Sequence, residues 1–264
     1  MIHWSDWHRE PAIIPAWIAL GWLYALLTGP WRSRIAPGTP FSPGRAACFY
    51  SALAVAYLAL GSPLDHAGTV FLFSAHVTQE LLLLYPVAAL LLLGLPGWLV
   101  DGALDRRFLR RPAGLILNPL SCGAAFILGT AAWHLPRLFE SALQSAPMQA
   151  AHMGTTVAAG LLFWWPLISP SRAFPPAGPA VKALYLTCAQ VAFTALFSYV
   201  FMADQAIYPT YRYAPRLIAG LSPIEDQRLA GVLLGLVSSL VFLGALGAGF
   251  FQWARHSGKA TAYR

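Results

Sequence analysis

Charge is scarce in this chain: only 10% of its 264 residues are Asp, Glu, Lys or Arg, against about a quarter in an ordinary soluble domain. With 58% hydrophobic residues beside that scarcity, a soluble globular protein is excluded and an integral membrane protein is expected. Cysteine is scarce too. Cys48, Cys122 and Cys188 are the only three, and no CxC or CxxC pair exists, so a thiolate metal motif is absent. No hydrophilic stretch exceeds the length of a loop, which argues for one transmembrane domain over residues 1–264. Period-two alternation is missing, which excludes a β-barrel. No internal repeat is visible, which weakens a secondary-transporter reading. The first ten residues are polar and no small-residue cleavage site precedes Arg32, so no cleavable signal peptide is expected.

What is present is a series of apolar runs. A helical crossing needs about 20 residues, and the pattern predicts seven: Pro11–Thr28, Ala46–Gly61, Val70–Leu95, Leu115–Trp133, Thr155–Ile168 with a start nearer Met148, Ala183–Met202 and Leu229–Trp253. The expected fold class is an all-α polytopic bundle. Pro86 inside the third run predicts a kink. Of the 17 Lys and Arg, twelve fall in the loops after the first, third and fifth runs and in the C-terminal tail. Basic loops stay cytoplasmic, so the N-terminus is expected outside and the C-terminus inside. The net charge of +7 then reads as topology and contact with anionic lipid, with no call for nucleic acid. This orientation puts the cysteines in the inner half of the membrane, as small buried residues away from any oxidising compartment.

Ionisable and amide side chains persist in hydrocarbon where they pair, line water or hold an ion. His76, Gln79, Glu80, His134, His152 and Asp226 fall on different runs, yet all map to the outer end. Imidazole with carboxylate points to a metal such as copper, zinc or iron. His76 and Glu80, four apart, share one helical face, although they can equally serve as a structural pair. His134 reads as a ligand or as an interfacial histidine, and Trp133 beside it as an interfacial anchor. His152 is a ligand candidate; Met148 and Met153 are thioether candidates for Cu(I), with packing the simpler role. Asp226 and Gln227 are candidate outer-shell partners of a ligating imidazole, as is Gln79, while Ser222 and Glu225 have capping-box spacing. His3 with the free amine has the makings of a square-planar Cu(II) site, or lies in an interfacial lead-in.

Several stretches together resemble the multi-spanning CtaG family of cytochrome c oxidase assembly factors: Ser74-Ala75-His76 with Gln79, Asn118-Pro119, Trp133-His134 with Pro136, His152 followed by Gly160 to Pro166, Tyr208-Pro209 with Tyr211, and Asp226-Gln227 with Gly231. The resemblance covers about residues 62 to 235. It implies seven helices and a non-enzymatic role in maturing a haem-copper oxidase, by delivering copper to its buried binuclear centre. The implied partners are an oxidase subunit and an external soluble copper donor, and the implied location is the bacterial plasma membrane. The family commonly reads His-x-x-Gln-His in the third span, and here Glu80 stands in place of the second histidine. A carboxylate favours a harder or more oxidised ion, which leaves Cu(I) and Cu(II) both open. A membrane-bound metalloenzyme, a copper transporter using the inner cysteines, and haem ligation by His76 and His134 are the rival readings.

Overall fold

The computed structural model describes Trp7 and residues 13–104 and 106–261. Every regular element among them is a helix. The main helices are α1 (Ile13–Thr28), α2 (Pro43–Gly61), α3 (Phe73–Gly94), α4 (Pro119–Trp133), α5 (Pro136–Gln144), α6 (Ala146–Ile168), α7 (Pro179–Met202) and α8 (Pro223–Thr261). Proline sets many of the boundaries, because its missing N–H costs nothing at the first helical position. Ser42 caps α2 by accepting from the Arg45 amide at 3.4 Å, and Asn118 caps α4 by accepting from the Ser121 amide at 3.0 Å. At α8 the Ser222 amide and hydroxyl donate to the Glu225 carboxylate at 2.8 and 2.6 Å. The Glu225 amide returns a bond to Ser222 Oγ at 3.3 Å, completing the expected capping box.

Among the described residues four helices are long and apolar enough to cross a membrane: α2, α3, α7 and the Pro223–Phe251 part of α8. A fifth is available if Phe108–Ile116 and α4, which meet at a 70° bend, form one broken span. Helix α1 has only 16 described residues, and α6, though 23 residues long, opens on the polar residues Gln149, His152, Thr155 and Thr156. The exterior suits lipid. Leu120, Leu128, Leu184, Val191, Leu240 and Leu243 are all exposed, a pattern that would be an association liability in water. Cys122 is buried and Cys48 half-buried, but Cys188 faces outward on α7, a correction to its expected burial.

The core is aromatic. Phe126 of α4, Phe163 of α6, Phe193 of α7 and Phe242 of α8 meet around a stacked Phe126–Phe193 pair with centroids 5.1 Å apart. Helices α3 and α6 approach closely at Gly160, where a Cβ would lie 2.6 Å from the Leu84 carbonyl oxygen. At Pro86 α3 widens into a π-type turn over Leu83–Val87, which accommodates the missing proline N–H. A second π-type turn, Ala67–Phe71, leads into α3. At the opposite end of α3 the Asp101 carboxylate clasps the loop after α6. It accepts from the Ser171 hydroxyl at 2.6 Å and from the Arg172 and Ala173 amides at 3.1 and 3.4 Å. Burial raises the pKa of this carboxyl, but those bonds outweigh burial and hold it below the usual carboxylate range.

Candidate metal centre

The start of α3, the end of α4 and the start of α6 lie together, which is the arrangement alternating antiparallel helices produce. His76 and Glu80 occupy the first two turns of α3, His134 is the residue that ends α4, and His152 lies on the second turn of α6. All four are 0–2% exposed. Glu80 is the hub. Its Oε1 lies 2.9 Å from His152 Nε2 and 3.5 Å from His76 Nε2, and its Oε2 lies 3.6 Å from His134 Nε2. Donor atoms of His76, Glu80 and His152 fall within 4.8 Å of one another; His134 sits on the other carboxylate oxygen and outside that tight group.

The hydrogen-bond pattern says what such an arrangement can do. His134 Nδ1 is 2.9 Å from the Thr130 carbonyl, which can only accept, so Nδ1 carries the proton. In the neutral ring, Nε2 therefore presents a lone pair to the Glu80 carboxylate. Neither oxygen of Glu80, neither nitrogen of His76, neither nitrogen of His152 and not His134 Nε2 makes a hydrogen bond. Even the 2.9 Å approach of His152 lacks hydrogen-bond alignment. A buried carboxylate facing imidazole nitrogens is costly unless a proton or a cation lies between them. Three imidazole nitrogens and one carboxylate are a donor set suited to a borderline transition-metal ion.

Aromatic rings hold the imidazoles in place. Trp133 stacks on His152 with centroids 4.4 Å apart and planes 19° apart, while its Nε1 donates to Thr155 Oγ1 at 2.8 Å. Its role is to position His152 as well as to occupy the end of α4, which extends the anchor expected from sequence. Phe139 of α5 is fully buried and packs edge-on against His76 at 4.7 Å. The Tyr208 hydroxyl donates to the His134 carbonyl at 2.8 Å, and the Tyr211 hydroxyl to the Gly68 carbonyl. Sequence reading gave Phe139 no role, although Pro136 followed by the amphipathic run to Gln144 is the signal that marks α5.

The hydrogen bonds of the three expected outer-shell partners run to backbone groups, to the Ser74 hydroxyl and, for Gln79, also to the Asp65 carboxylate. Asp226 accepts from the Phe73 amide at 2.7 Å and from the amide and hydroxyl of Ser74, so a side chain of α8 caps α3. Gln79 Nε2 donates to the Ala59 carbonyl at 2.8 Å and to Asp65 at 2.9 Å. Gln227 ties the segment after α7, accepting from the Ile207 amide at 2.7 Å and donating to the Val200 carbonyl at 3.1 Å. Met153 is buried in an apolar cluster with Ala56, Ala59, Leu83 and Val87. Met148 is half-buried on the first turn of α6, one turn before His152. His3 lies outside the described residues.

A family model described as cytochrome c oxidase caa3 assembly factor (Caa3_CtaG) matches residues 22–256. No curated protein and no solved structure matches the chain. The match takes in every helix that carries the His and Glu group and its supports, and this multi-pass helical membrane protein belongs to the cytochrome c oxidase caa3 assembly factor family.

Proposed function

We propose that the chain is a seven-helix metallochaperone of a bacterial plasma membrane that binds copper on its outer side and hands it to a haem-copper oxidase subunit. The carrying observation is the Glu80 carboxylate, buried among three imidazoles with no hydrogen bond to either oxygen. His76, Glu80 and His152 form the tight ligand group, and His134 completes it from the second carboxylate oxygen. Copper is the assigned cargo because the family serves a copper-containing oxidase and imidazole suits that ion. Each ligand is nearly inaccessible, so loading from a soluble donor and release to the oxidase require the helix ends around the site to part. The role is assembly, with no turnover of a substrate.

Protein purified without chelator should carry close to one copper per chain, read by elemental analysis. A deletion strain should keep its oxidase polypeptides but lose copper-loaded oxidase, with partial rescue by added copper. Full oxidase activity in that strain at limiting copper would overturn the proposal.

Seven spans follow if α1, α4 and α6 cross with the four long helices. The twelve basic residues in alternate loops and the C-terminal tail of the sequence support an external N-terminus. A reporter inserted near Gln144 should then read as external and one fused after Arg264 as cytoplasmic. The reverse result would put the His and Glu group on the cytoplasmic side and remove the route to an external donor.

A further inference from the structure

The helix ends farthest from the His and Glu group enclose a second polar site. A cavity of about 470 Å3 lies between the end of α1, the start of α2, the segment after α3 and the loop after α6, and its wall carries Arg32, Arg45 and Arg172. Among the described residues Asp101 is its one carboxylate, and the Ser171 hydroxyl and the Arg172 and Ala173 amides already engage it. Arg45 is also engaged, donating to the Leu95 carbonyl at 2.6 Å. Arg32 is not. Its guanidinium lies over the Phe41 ring at 5.8 Å from the centroid, and Nη1 is shut off from solvent with no hydrogen-bond acceptor. Three guanidinium-bearing residues around a cavity whose one described carboxylate is already engaged leave an excess of positive charge there, the arrangement that a phosphate group satisfies.

The surroundings indicate where that phosphate comes from. Along the same α1–α2 seam runs an apolar groove of about 470 Å3, lined by Trp17, Gly21, Trp22, Ala25, Tyr50 and Leu53. Ala25 is one helical turn from Thr28, which lines the arginine cavity. A polar cavity at the end of a span, with an apolar groove one turn deeper, matches a headgroup joined to acyl chains. A soluble phosphate compound would have no use for the groove. The same face carries most of the basic residues, which attract anionic lipid.

We propose that Arg32, Arg45 and Arg172 form a site for a phosphate-bearing anion, supplied by the headgroup of an anionic phospholipid whose chains lie along the α1–α2 groove. The site is independent of the metal centre at the other end of the bundle.

Delipidated protein in mild detergent should be titrated with phosphatidylglycerol, phosphatidylcholine and inorganic phosphate, with native mass spectrometry and thermal unfolding as readouts. Phosphatidylglycerol should bind and raise the unfolding midpoint, and phosphatidylcholine should do neither. The double variant Arg32→Gln with Arg172→Gln, which leaves the structural Arg45 in place, should weaken phosphatidylglycerol binding on the order of 30-fold. Arg32→Lys, which keeps the charge, should retain much of that binding. Circular dichroism and monodispersity establish that each variant is folded. Equal binding of the two lipids, or a folded double variant that binds phosphatidylglycerol like the parent, would overturn the proposal. Stabilisation by millimolar inorganic phosphate matching that by phosphatidylglycerol would overturn the lipid source and leave a soluble-phosphate site.

Discussion

Glu80→Gln should lower copper affinity by more than the roughly 10- to 100-fold that loss of an outer-shell partner costs, and by at least as much as any single histidine change. Sequence alone suggests a mild effect, since glutamine keeps the volume. The structure argues otherwise, because one carboxylate faces His76, His134 and His152 at 2.9–3.6 Å. Removing its charge takes away the group that every imidazole shares. The metal-free protein should behave differently. Glutamine keeps the volume of the buried side chain and removes its charge together with that charge's desolvation cost, so apo Glu80→Gln should lose little stability. That divergence, affinity down with stability held, separates a ligand from a packing residue. His76→Ala and His152→Ala should abolish stoichiometric binding, and His134→Ala should be milder because it lies outside the tight group. Glu80→His, which restores the usual family pattern, should bind Cu(I) in preference to Cu(II). Competition titrations with each oxidation state, on folded protein of equal yield, make the comparison. Parent-like affinity in Glu80→Gln and in all three alanine variants would make the cluster structural and end the copper proposal.

The convergence of the four candidate ligands was legible in the sequence because it depends on little more than helix length and loop charge. Residues near the ends of alternating antiparallel runs meet at one end of a bundle, and His76, Glu80, His134 and His152 do so. What the polar residues around them bond to was not legible. Asp226 is separated from Phe73 by 153 residues, and no local spacing tells a carboxylate that binds an imidazole from one that binds another helix's amides. Helix α5 was hidden for a different reason: nine residues with a mixed polar and apolar pattern read as a loop under a window tuned to membrane crossings. Phe139, which packs against His76, was lost with it. The π-type turn at Pro86 lies between these cases. Proline predicts a break in regularity, but that the break takes the form of a π-type turn beside the close α6 backbone at Gly160 is a matter of packing.

Asp226→Ala should destabilise the metal-free protein by about 3 kcal/mol or more, with a fall in copper affinity of about 10- to 100-fold accompanying it. The carboxylate is 2% exposed and accepts from the Phe73 amide, the Ser74 amide and the Ser74 hydroxyl. The two amides belong to the first turn of α3, where no carbonyl of the helix can reach them. A negative charge there also opposes the positive end of the helix dipole. Alanine leaves those donors buried and unpaired, each at about 1–3 kcal/mol. Asparagine should cost less, because its carbonyl oxygen still accepts one bond while its amide nitrogen confronts a second donor. The effect reaches the metal through geometry: His76 and Glu80 sit two to seven residues beyond the capped amides, so a frayed first turn displaces two of the three tight ligands together. Thermal unfolding of the apo protein, paired with copper titration, tests the coupling. If Asp226 acted by hydrogen-bonding an imidazole, Asp226→Asn would weaken copper binding while leaving apo stability untouched. A clamp on α3 requires both to fall, in the order alanine below asparagine below parent.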